Sequence, residues 1–424
     1  MFFTENIRVK LSDIHLYTGM LLAFWLSLDR NFIPFLSFIW LLLGLLTLPR
    51  GLFRISRIRW KYVALFALFY LLYVISVSYS DSCQSAWFGL EVKLPLLFFP
   101  LFTASLLLSG KGKRVDRILM AFVAGNLLAS LICIGAAFFG HSYFEPSHFH
   151  YSDLSYFDLH PSYFALYLTF SMAVLLFHFL PHYSFRHRPV KFWLSIGALL
   201  FMFIMVLLLS SRTGILAVSL LVMLKVFHFI LTQKRLNAAV KTITVILVVG
   251  ILSFSAYTNQ RVQKLFRSVA SIAEPVEELK SFENLSSSQA RLYIWKSGFS
   301  LLKDHWLFGV GSGDVKSQIT AKINELLDSE QHMKINFNAH NQFLDTFLAV
   351  GLPGFLILLA LIIWPGIVAI RNNDWLLLSL VLILAVHLFF ESMLNRQAGV
   401  VFAALFLPLL FVIRQPYKST RQNS

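Results

Sequence analysis

Residues 192–231 read FWLSIGALLFMFIMVLLLSSRTGILAVSLLVMLKVFHFIL, and this stretch decides the fold. It contains two almost entirely apolar runs that are separated only by Ser210-Ser211-Arg212-Thr213. Each run is close to the roughly 20 residues that an α-helix needs to cross the hydrocarbon core of a bilayer. The stretch therefore predicts two membrane helices joined by a tight polar turn.

Similar apolar runs recur along the whole chain. Hydrophobic residues make up 57% of its 424 residues and charged residues only 13%, whereas soluble domains carry about 25% charged residues. This composition excludes a water-soluble enzyme and predicts an all-α, polytopic membrane protein with about 12 transmembrane helices. The predicted spans are 14–28, 32–48, 62–80, 94–109, 118–139, 160–180, 192–209, 213–231, 242–257, 343–364, 375–391 and 397–413.

The formal net charge of +15 would suggest a nucleic-acid partner in a soluble protein. Here more than half of the 36 Lys and Arg residues fall in the connections on the N-terminal side of the membrane. An excess of Lys and Arg marks the cytoplasmic side. We therefore expect both termini to be cytoplasmic, and the positive charge to orient the helices without any nucleic-acid partner.

The cysteine content and the first apolar stretch each predict that a feature is absent. With only Cys83 and Cys133, we expect neither a disulfide framework nor a cysteine-based metal site. The first apolar stretch is followed by Asp29-Arg30-Asn31 instead of a small-residue cleavage site, so we expect no cleavable signal peptide.

One connection is far longer than the others, and it divides the chain into three parts. We expect an N-terminal transmembrane region of about nine spans at 1–257, a large periplasmic loop at 258–340, and three further spans with a cytoplasmic tail at 341–424. Connections of this length are uncommon unless they carry function. The loop itself should be helical, because apolar residues show helical spacing at 288–303 and 316–330.

Between these two predicted helices lies GVGSGD, residues 309–314. Its glycines resemble a nucleotide-binding fingerprint, but that motif follows a strand in a βαβ unit, and no strand precedes it here. We interpret the segment as a turn with glycines at positive φ.

His340 and Asn341 stand where the chain re-enters the membrane after the long loop. Asn341, or Asn338 before it, can cap the next helix through its side-chain oxygen. Alternatively, His340 is a base at the membrane surface that takes a proton from an incoming hydroxyl. The spacing of the residues leaves both readings open.

Arg212 in the tight turn and Arg291 at the start of the loop helix are candidates for binding phosphate, because a guanidinium forms bidentate, charge-assisted hydrogen bonds. For Arg212 the alternative is an interfacial anchor. For Arg291 it is the solvated face of an amphipathic helix. Converging arginines would form a site for a diphosphate.

The remaining polar residues on the outer side have structural explanations. His160 and Tyr163 can anchor a helix at the interface, and we expect Glu391 to pair with Arg396. His141, His148 and His150 do not form a tight ligand set, so we expect no metal site.

Five segments carry a resemblance to a known family. They are SSRTG (210–214), RLYIW (291–295), HWLFGVGSGD (305–314), AHNQFLDTFLAVGLPG (339–354) and ESMLNRQAG (391–399). In this order and spacing they resemble the O-antigen ligase/O-antigen polymerase superfamily of bacterial membrane glycosyltransferases. The resemblance covers roughly residues 190–400.

The resemblance implies an activity at the periplasmic face of the inner membrane, within lipopolysaccharide biosynthesis. The donor would be a glycan on undecaprenyl diphosphate, the acceptor a hydroxyl of lipid A–core, and the transfer metal-independent and cofactor-independent. By motif, His340 would be the general base, and Arg212 and Arg291 would bind the diphosphate. Further possible site residues are His160, Tyr163, Arg261, Asn341, Glu391 and Arg396.

Three functional hypotheses remain. A ligase would move a finished glycan onto lipid A–core, whereas a polymerase would join repeat units by the same chemistry. The third is a transporter of lipid-linked glycans, although transporters place their binding groups near the bilayer midplane. We favour the ligase because its loop-and-histidine arrangement is the more similar.

Overall fold

The structure is a computed structural model. It describes residues 5–47, 57–108, 113–139, 159–183, 185–233, 287–326 and 336–413, together with isolated positions at 154, 157, 237, 239, 242, 246 and 250. These residues form helices and connecting turns, with no β-strand among them. The all-α prediction is confirmed for this part of the chain.

The helices follow the apolar runs of the sequence. They are α1 (Glu5–Trp25), α2 (Phe32–Thr47), α3 (Arg57–Val77), α4 (Cys83–Leu108), α5 (Lys113–Phe139), α6 (Pro161–Val174), α7 (Pro189–Leu208), α8 (Arg212–Thr232), α9 (Ser287–His305), α10 (Val315–Leu326), α11 (Gln342–Arg371), α12 (Trp375–Phe390) and α13 (Gln397–Ile413). A π-helical segment (Leu175–Phe179) and a 3₁₀ turn (Leu180–His182) continue α6, and a second 3₁₀ turn (Met393–Asn395) joins α12 to α13.

Seven of the described helices are long and apolar enough to cross a membrane, counting α6 with its continuation to His182. Three shorter apolar helices are α2, α12 and α13. The predicted span 242–257 lies outside the continuously described residues. Our boundaries were wrong for α4, which begins at Cys83 and not near residue 94. The predicted spans 62–80 and 94–109 leave Lys93 in the connection between them, but it lies within this helix and is only 4% exposed.

Two helices form the centre of the bundle. Every residue of α6 from Pro161 to Val174 is buried, and so is every residue of α13 from 399 to 412. A helix that is apolar on all sides is one that other helices surround. Aromatic rings of Tyr167 and Phe402 stack between these two helices at 5.3 Å between ring centroids.

The two helices predicted in the segment 258–340 are present as α9 and α10, and they dock on the bundle through backbone contacts. The amide of Val310 donates to Leu348 O at 2.6 Å, and that of Leu352 donates to Trp306 O at 2.9 Å. Gly351 has φ 69° and interrupts α11 at this point. A Cβ on Gly351 would lie 2.0 Å from Leu307 O, so only glycine allows this approach.

The GVGSGD segment is the turn that the sequence predicts, with φ 76° at Gly309 and 98° at Gly311. Its last residue, Asp314, accepts hydrogen bonds from the amides of Asp81 (2.7 Å) and Ser82 (2.9 Å), in the connection between α3 and α4. The segment is therefore a structural joint between α10 and the bundle.

Candidate active site

Several helix ends meet at one end of the bundle. The helices α6, α11 and α13 begin there, while α12 ends there at Phe390. Glu391 follows α12 directly, and its amide donates to His387 O at 2.8 Å, which closes the last turn of the helix. Polar side chains that are far apart in the sequence are brought together around Glu391.

The carboxylate of Glu391 is the centre of this cluster. Its Oε1 accepts hydrogen bonds from Arg291 Nη2 and from the hydroxyl of Ser162, both at 3.1 Å. Its Oε2 lies 3.5 Å from His340 Nδ1. The Glu391 side chain is only 10% exposed, so these groups replace most of its contact with solvent. We call Ser162, Arg291, His340 and Glu391 the Glu391 cluster.

The environment of Glu391 keeps it ionised. Burial by itself would raise the pKa of the carboxyl, but the adjacent His340 imidazole and the positive charge of Arg291 outweigh this effect and lower the pKa to about 2. Glu391 is therefore a fixed negative charge at neutral pH, able to orient an imidazole and a guanidinium together.

His340 is held in an unusual backbone conformation. Its φ is 47°, in the left-handed region, which side chains other than glycine rarely occupy. On one side, Trp295 Nε1 donates to Ala339 O at 2.9 Å. On the other, Asn341 caps α11 by accepting from the amide of Leu344 at 3.1 Å. These contacts turn the imidazole towards Glu391, and the side chain remains 36% exposed.

Asn341 is thus the helix cap that the sequence offered as one reading of the His340–Asn341 pair. This role of Asn341 is compatible with the second interpretation, in which His340 is a base. Because the Asn341 side chain fixes the start of α11, the preceding residue is free to adopt the left-handed conformation that presents its ring.

His160 and Tyr163 lie beside the cluster at the start of α6. His160 Nδ1 accepts from the amide of Ser162 at 3.3 Å, so His160 is the cap of this helix. Burial lowers the pKa of His160, against the opposing effect of Glu391. Tyr163 is buried and packs edge-on against the His160 ring at 6.3 Å between centroids.

Arg212 begins α8 at the same end of the bundle. Ser211 caps this helix, and the position of a Cβ on Gly214 would be 2.5 Å from Ala165 Cβ, in the first turns of α6. Arg212 is half-buried. The structure therefore places it on the helix next to the one that His160 caps.

One pairing expected from the sequence is wrong. Glu391 pairs with Arg291 and His340, not with Arg396, whose side chain is exposed at the end of the 3₁₀ turn. The physical reason is the geometry of that turn. The amide of Arg396 donates to Met393 O at 3.3 Å, and the chain then enters α13, which leaves the Arg396 side chain exposed.

Arg261 and the histidines 141, 148 and 150 lie outside the described residues. Within the described ranges, His, Cys, Asp and Glu form no group of three or more that could hold a metal ion.

The sequence reasoning missed a buried polar network next to the cluster. Lys93, Asp345 and Gln342 are each less than 5% exposed, and Asn395 joins them from the 3₁₀ turn. The signal was available, because an ionisable residue inside an apolar helix is a functional hypothesis by default. Lys93 in EVKLPLLFFP was such a residue, but it was assigned to a loop.

The fold and the cluster define a class of protein: a polytopic helical membrane protein with a docked helical segment and an acid–base–cation site at one end of the bundle. Residues 197–359 match the family model described as O-antigen ligase. The resemblance found in the sequence is thereby confirmed. A comparison with the curated proteins gave no match.

The family indicates a membrane enzyme of the ligase/polymerase kind, with a glycosyltransferase-like activity in lipopolysaccharide biosynthesis. The family implies substrates of two general kinds, a lipid-linked glycan as donor and lipid A–core as acceptor.

Proposed function

We propose that this protein is an O-antigen ligase that transfers a glycan from undecaprenyl diphosphate to a hydroxyl of lipid A–core. The observation that supports this most is the Glu391 cluster. It joins the candidate base, His340, and a candidate diphosphate ligand, Arg291, on one buried carboxylate.

The proposed architecture follows the division made from the sequence. About 12 spans cross the inner membrane, with nine in residues 1–257 and three in residues 341–424. Residues 258–340 form the periplasmic segment. Both termini are cytoplasmic, as the excess of Lys and Arg on that side favours. The Glu391 cluster then faces the periplasm, where the lipid-linked donor is presented.

In the proposed reaction, His340 Nδ1 faces Glu391, and the opposite ring nitrogen, Nε2, takes the proton of the acceptor hydroxyl. The acceptor oxygen bonds to the anomeric carbon as the bond between that carbon and the diphosphate oxygen breaks. The electron pair of the broken bond stays on the diphosphate. Attack opposite to the leaving group inverts the configuration of the anomeric carbon.

Arg291 and Arg212 would stabilise the negative charge that develops on the departing diphosphate. A guanidinium has five N–H donors in a planar fork, and the ion pair with Glu391 is made through Nη2. The same side chain can therefore bind Glu391 and a phosphate oxygen together. In this proposal the two arginines, rather than a metal ion, stabilise the negative charge of the leaving diphosphate.

The direct test is glycan transfer by purified protein in lipid nanodiscs, using an undecaprenyl-diphosphate glycan and lipid A–core. We expect His340→Asn to lower the rate by about 10²–10⁴-fold, the usual contribution of a positioned base. Asparagine tolerates positive φ, so this variant keeps the backbone while it removes the base. The matched control is His305→Asn in the last turn of α9, which we expect to be fully active. A wild-type rate for His340→Asn would refute the general-base role.

The polymerase reading uses the same site and needs a test in cells. Loss of a ligase leaves uncapped core together with long chains on the carrier lipid. Loss of a polymerase leaves core that carries single repeat units. The second pattern would contradict the ligase assignment while preserving the chemistry.

A further inference from the structure

Behind the Glu391 cluster lies a second set of polar side chains that the proposed chemistry does not use. We call it the Lys93 network, and it consists of Tyr73, Lys93, Gln342, Asp345, Thr346 and Asn395. It joins α3, α4, α11 and the 3₁₀ turn that follows Glu391. We infer that this network is a positioning device that sets the distance between Glu391 and His340 for glycan transfer.

The network is continuous through one amide. Lys93 Nζ donates to Asn395 Oδ1 at 3.0 Å, and Asn395 Nδ2 donates to Asp345 Oδ1 at 2.9 Å. An ammonium can only donate and a carboxylate can only accept, so the two charges fix the orientation of the Asn395 amide. Lys93 Nζ also lies 4.7 Å from the centre of the Tyr73 ring.

A second branch of the network holds the start of α11. Gln342 Nε2 donates to Thr346 Oγ1 at 3.1 Å and to Asp345 Oδ2 at 3.4 Å. The hydroxyl of Tyr73 donates to the same Thr346 Oγ1 at 3.2 Å. The other end of the Gln342 amide, Oε1, accepts from the backbone amide of Leu394 at 2.6 Å.

These contacts bind the two segments that carry the proposed base and its carboxylate. Gln342 follows His340 by two residues, and Leu394 and Asn395 follow Glu391 by three and four. The network therefore crosslinks the backbone just beyond His340 to the backbone just beyond Glu391. The distance between the two side chains, 3.5 Å, depends on this crosslink.

The energetics explain why such a crosslink is rigid. Lys93 is 4% exposed and Asp345 3%, and charges at such sites are costly unless they are paired and hydrogen-bonded. A buried polar network specifies one arrangement when all members are satisfied, and it is penalised when one partner moves. Catalytic geometry is sensitive to shifts of about 1 Å, which can cost about 10²-fold in rate.

The inference rests on the proposed function, so its test has one readout that needs no activity and one that does. The first is hydrogen–deuterium exchange of the peptide that contains residues 391–396. We expect Asn395→Ala and Lys93→Met to speed its exchange. Asp345 then loses its contact with Asn395 or the lysine that orients Asn395, so Gln342, whose Oε1 accepts from the Leu394 amide, is held less firmly. The matched control is Lys225→Met. Lys225 is another lysine within a span, donating to Leu176 O at 3.2 Å and lying over the Phe177 ring. Unchanged exchange of 391–396 in both network variants would overturn the inference.

The second readout is a double-mutant cycle in the transfer assay. We expect Asn395→Ala to lower kcat by about 10- to 100-fold, with the KM for the donor changed less than about twofold. In the Glu391→Gln background the same substitution should have little further effect, because the pair that the network positions is already broken. Equal effects of Asn395→Ala in both backgrounds would overturn the positioning role.

Folding defects are separated by a compensated variant. Lys93→Met alone leaves Asp345 as an uncompensated buried charge, whereas Lys93→Met with Asp345→Asn removes both charges. We expect the double variant to be more heat-stable than either single variant and still to have a reduced kcat. A double variant with normal kcat would contradict the inference. If wild-type protein transfers no glycan, the proposed function fails, and the exchange experiment alone decides whether the crosslink exists.

Discussion

Arg291 and Glu391, which are 100 residues apart in the sequence, form an ion pair of 3.1 Å between Nη2 and Oε1. Arg291 belongs to the helix of the long connection, and Glu391 follows a helix of the apolar bundle. The pair therefore docks the α9 helix on the bundle at the same place where His340 lies against Glu391. Both side chains are largely buried, at 22% and 10% exposed, so the pair is screened less than a surface salt bridge.

Neutralising Glu391 tests its role in orienting His340. We expect Glu391→Gln to lower kcat by at least about tenfold, or about 1.4 kcal/mol in transition-state stabilisation. An amide of the same shape cannot hold both the imidazole and the guanidinium by charge. The measurement is steady-state transfer in nanodiscs. Glu325→Gln is the matched control, since Glu325 is exposed on α10, and an equal loss in both variants would contradict the prediction.

The two candidate diphosphate ligands are tested by exchanging arginine for lysine. We expect Arg212→Lys and Arg291→Lys each to lower kcat/KM for the donor more than about tenfold, because lysine keeps the charge but loses the planar fork. The exposed Arg371, at the far end of α11, provides the control substitution Arg371→Lys. Near-normal turnover of either site variant would show that this arginine does not bind the diphosphate.

The lowered pKa of Glu391 predicts how its contribution to stability depends on pH. Its pKa is about 2 in the folded protein, below the ordinary value of 4.5. The ionised group therefore stabilises the folded state fully above the ordinary value, and this stabilisation is lost as the pH falls towards 2. We expect the difference in Tm between wild type and Glu391→Gln to be constant from about pH 8 to about pH 5 and to shrink below that. A difference that grows on acidification would show that the pair is not formed.

Gly351 tests the docking of the long connection on α11. Its φ is 69°, and a Cβ would lie 2.0 Å from Leu307 O. We expect Gly351→Ala to destabilise the protein by more than about 1 kcal/mol. It should also reduce transfer, because the helix that carries Arg291 can no longer dock on α11 in the same way. Gly197 in α7 is the matched control, because a Cβ there meets no atom within 4 Å. Gly197→Ala should raise the Tm, as alanine is the better helix former. Equal Tm values for Gly351→Ala and wild type would contradict the docking role.

Much of the helical architecture could be predicted because bilayer thickness and backbone hydrogen bonding leave few alternatives for a long apolar run. The two runs around Arg212 became α7 and α8 within a few residues of the predicted ends. The α4 helix was missed in part because its first turns contain polar residues such as Gln84 and Glu91, which hydropathy assigns to a loop. Lys93 was misplaced for the same reason.

The candidate site was only partly predictable. Sequence motifs singled out His340, Arg291 and Glu391 individually, yet the expected partner of Glu391 was its near neighbour Arg396. Local spacing favours near neighbours, whereas the pairing is decided by where helix ends meet. Ser162 gave no signal of its own beyond its place at the start of a span.

The sequence by itself determined that this is a helical membrane protein with one long helical connection, since apolar length and charge distribution are local properties of the chain. Only the tertiary structure decided that Glu391 is shared by Arg291, Ser162 and His340, and that Lys93 reaches Asn395 behind them. Such contacts depend on the packing of helices far apart in sequence, and no periodicity in the chain encodes that packing.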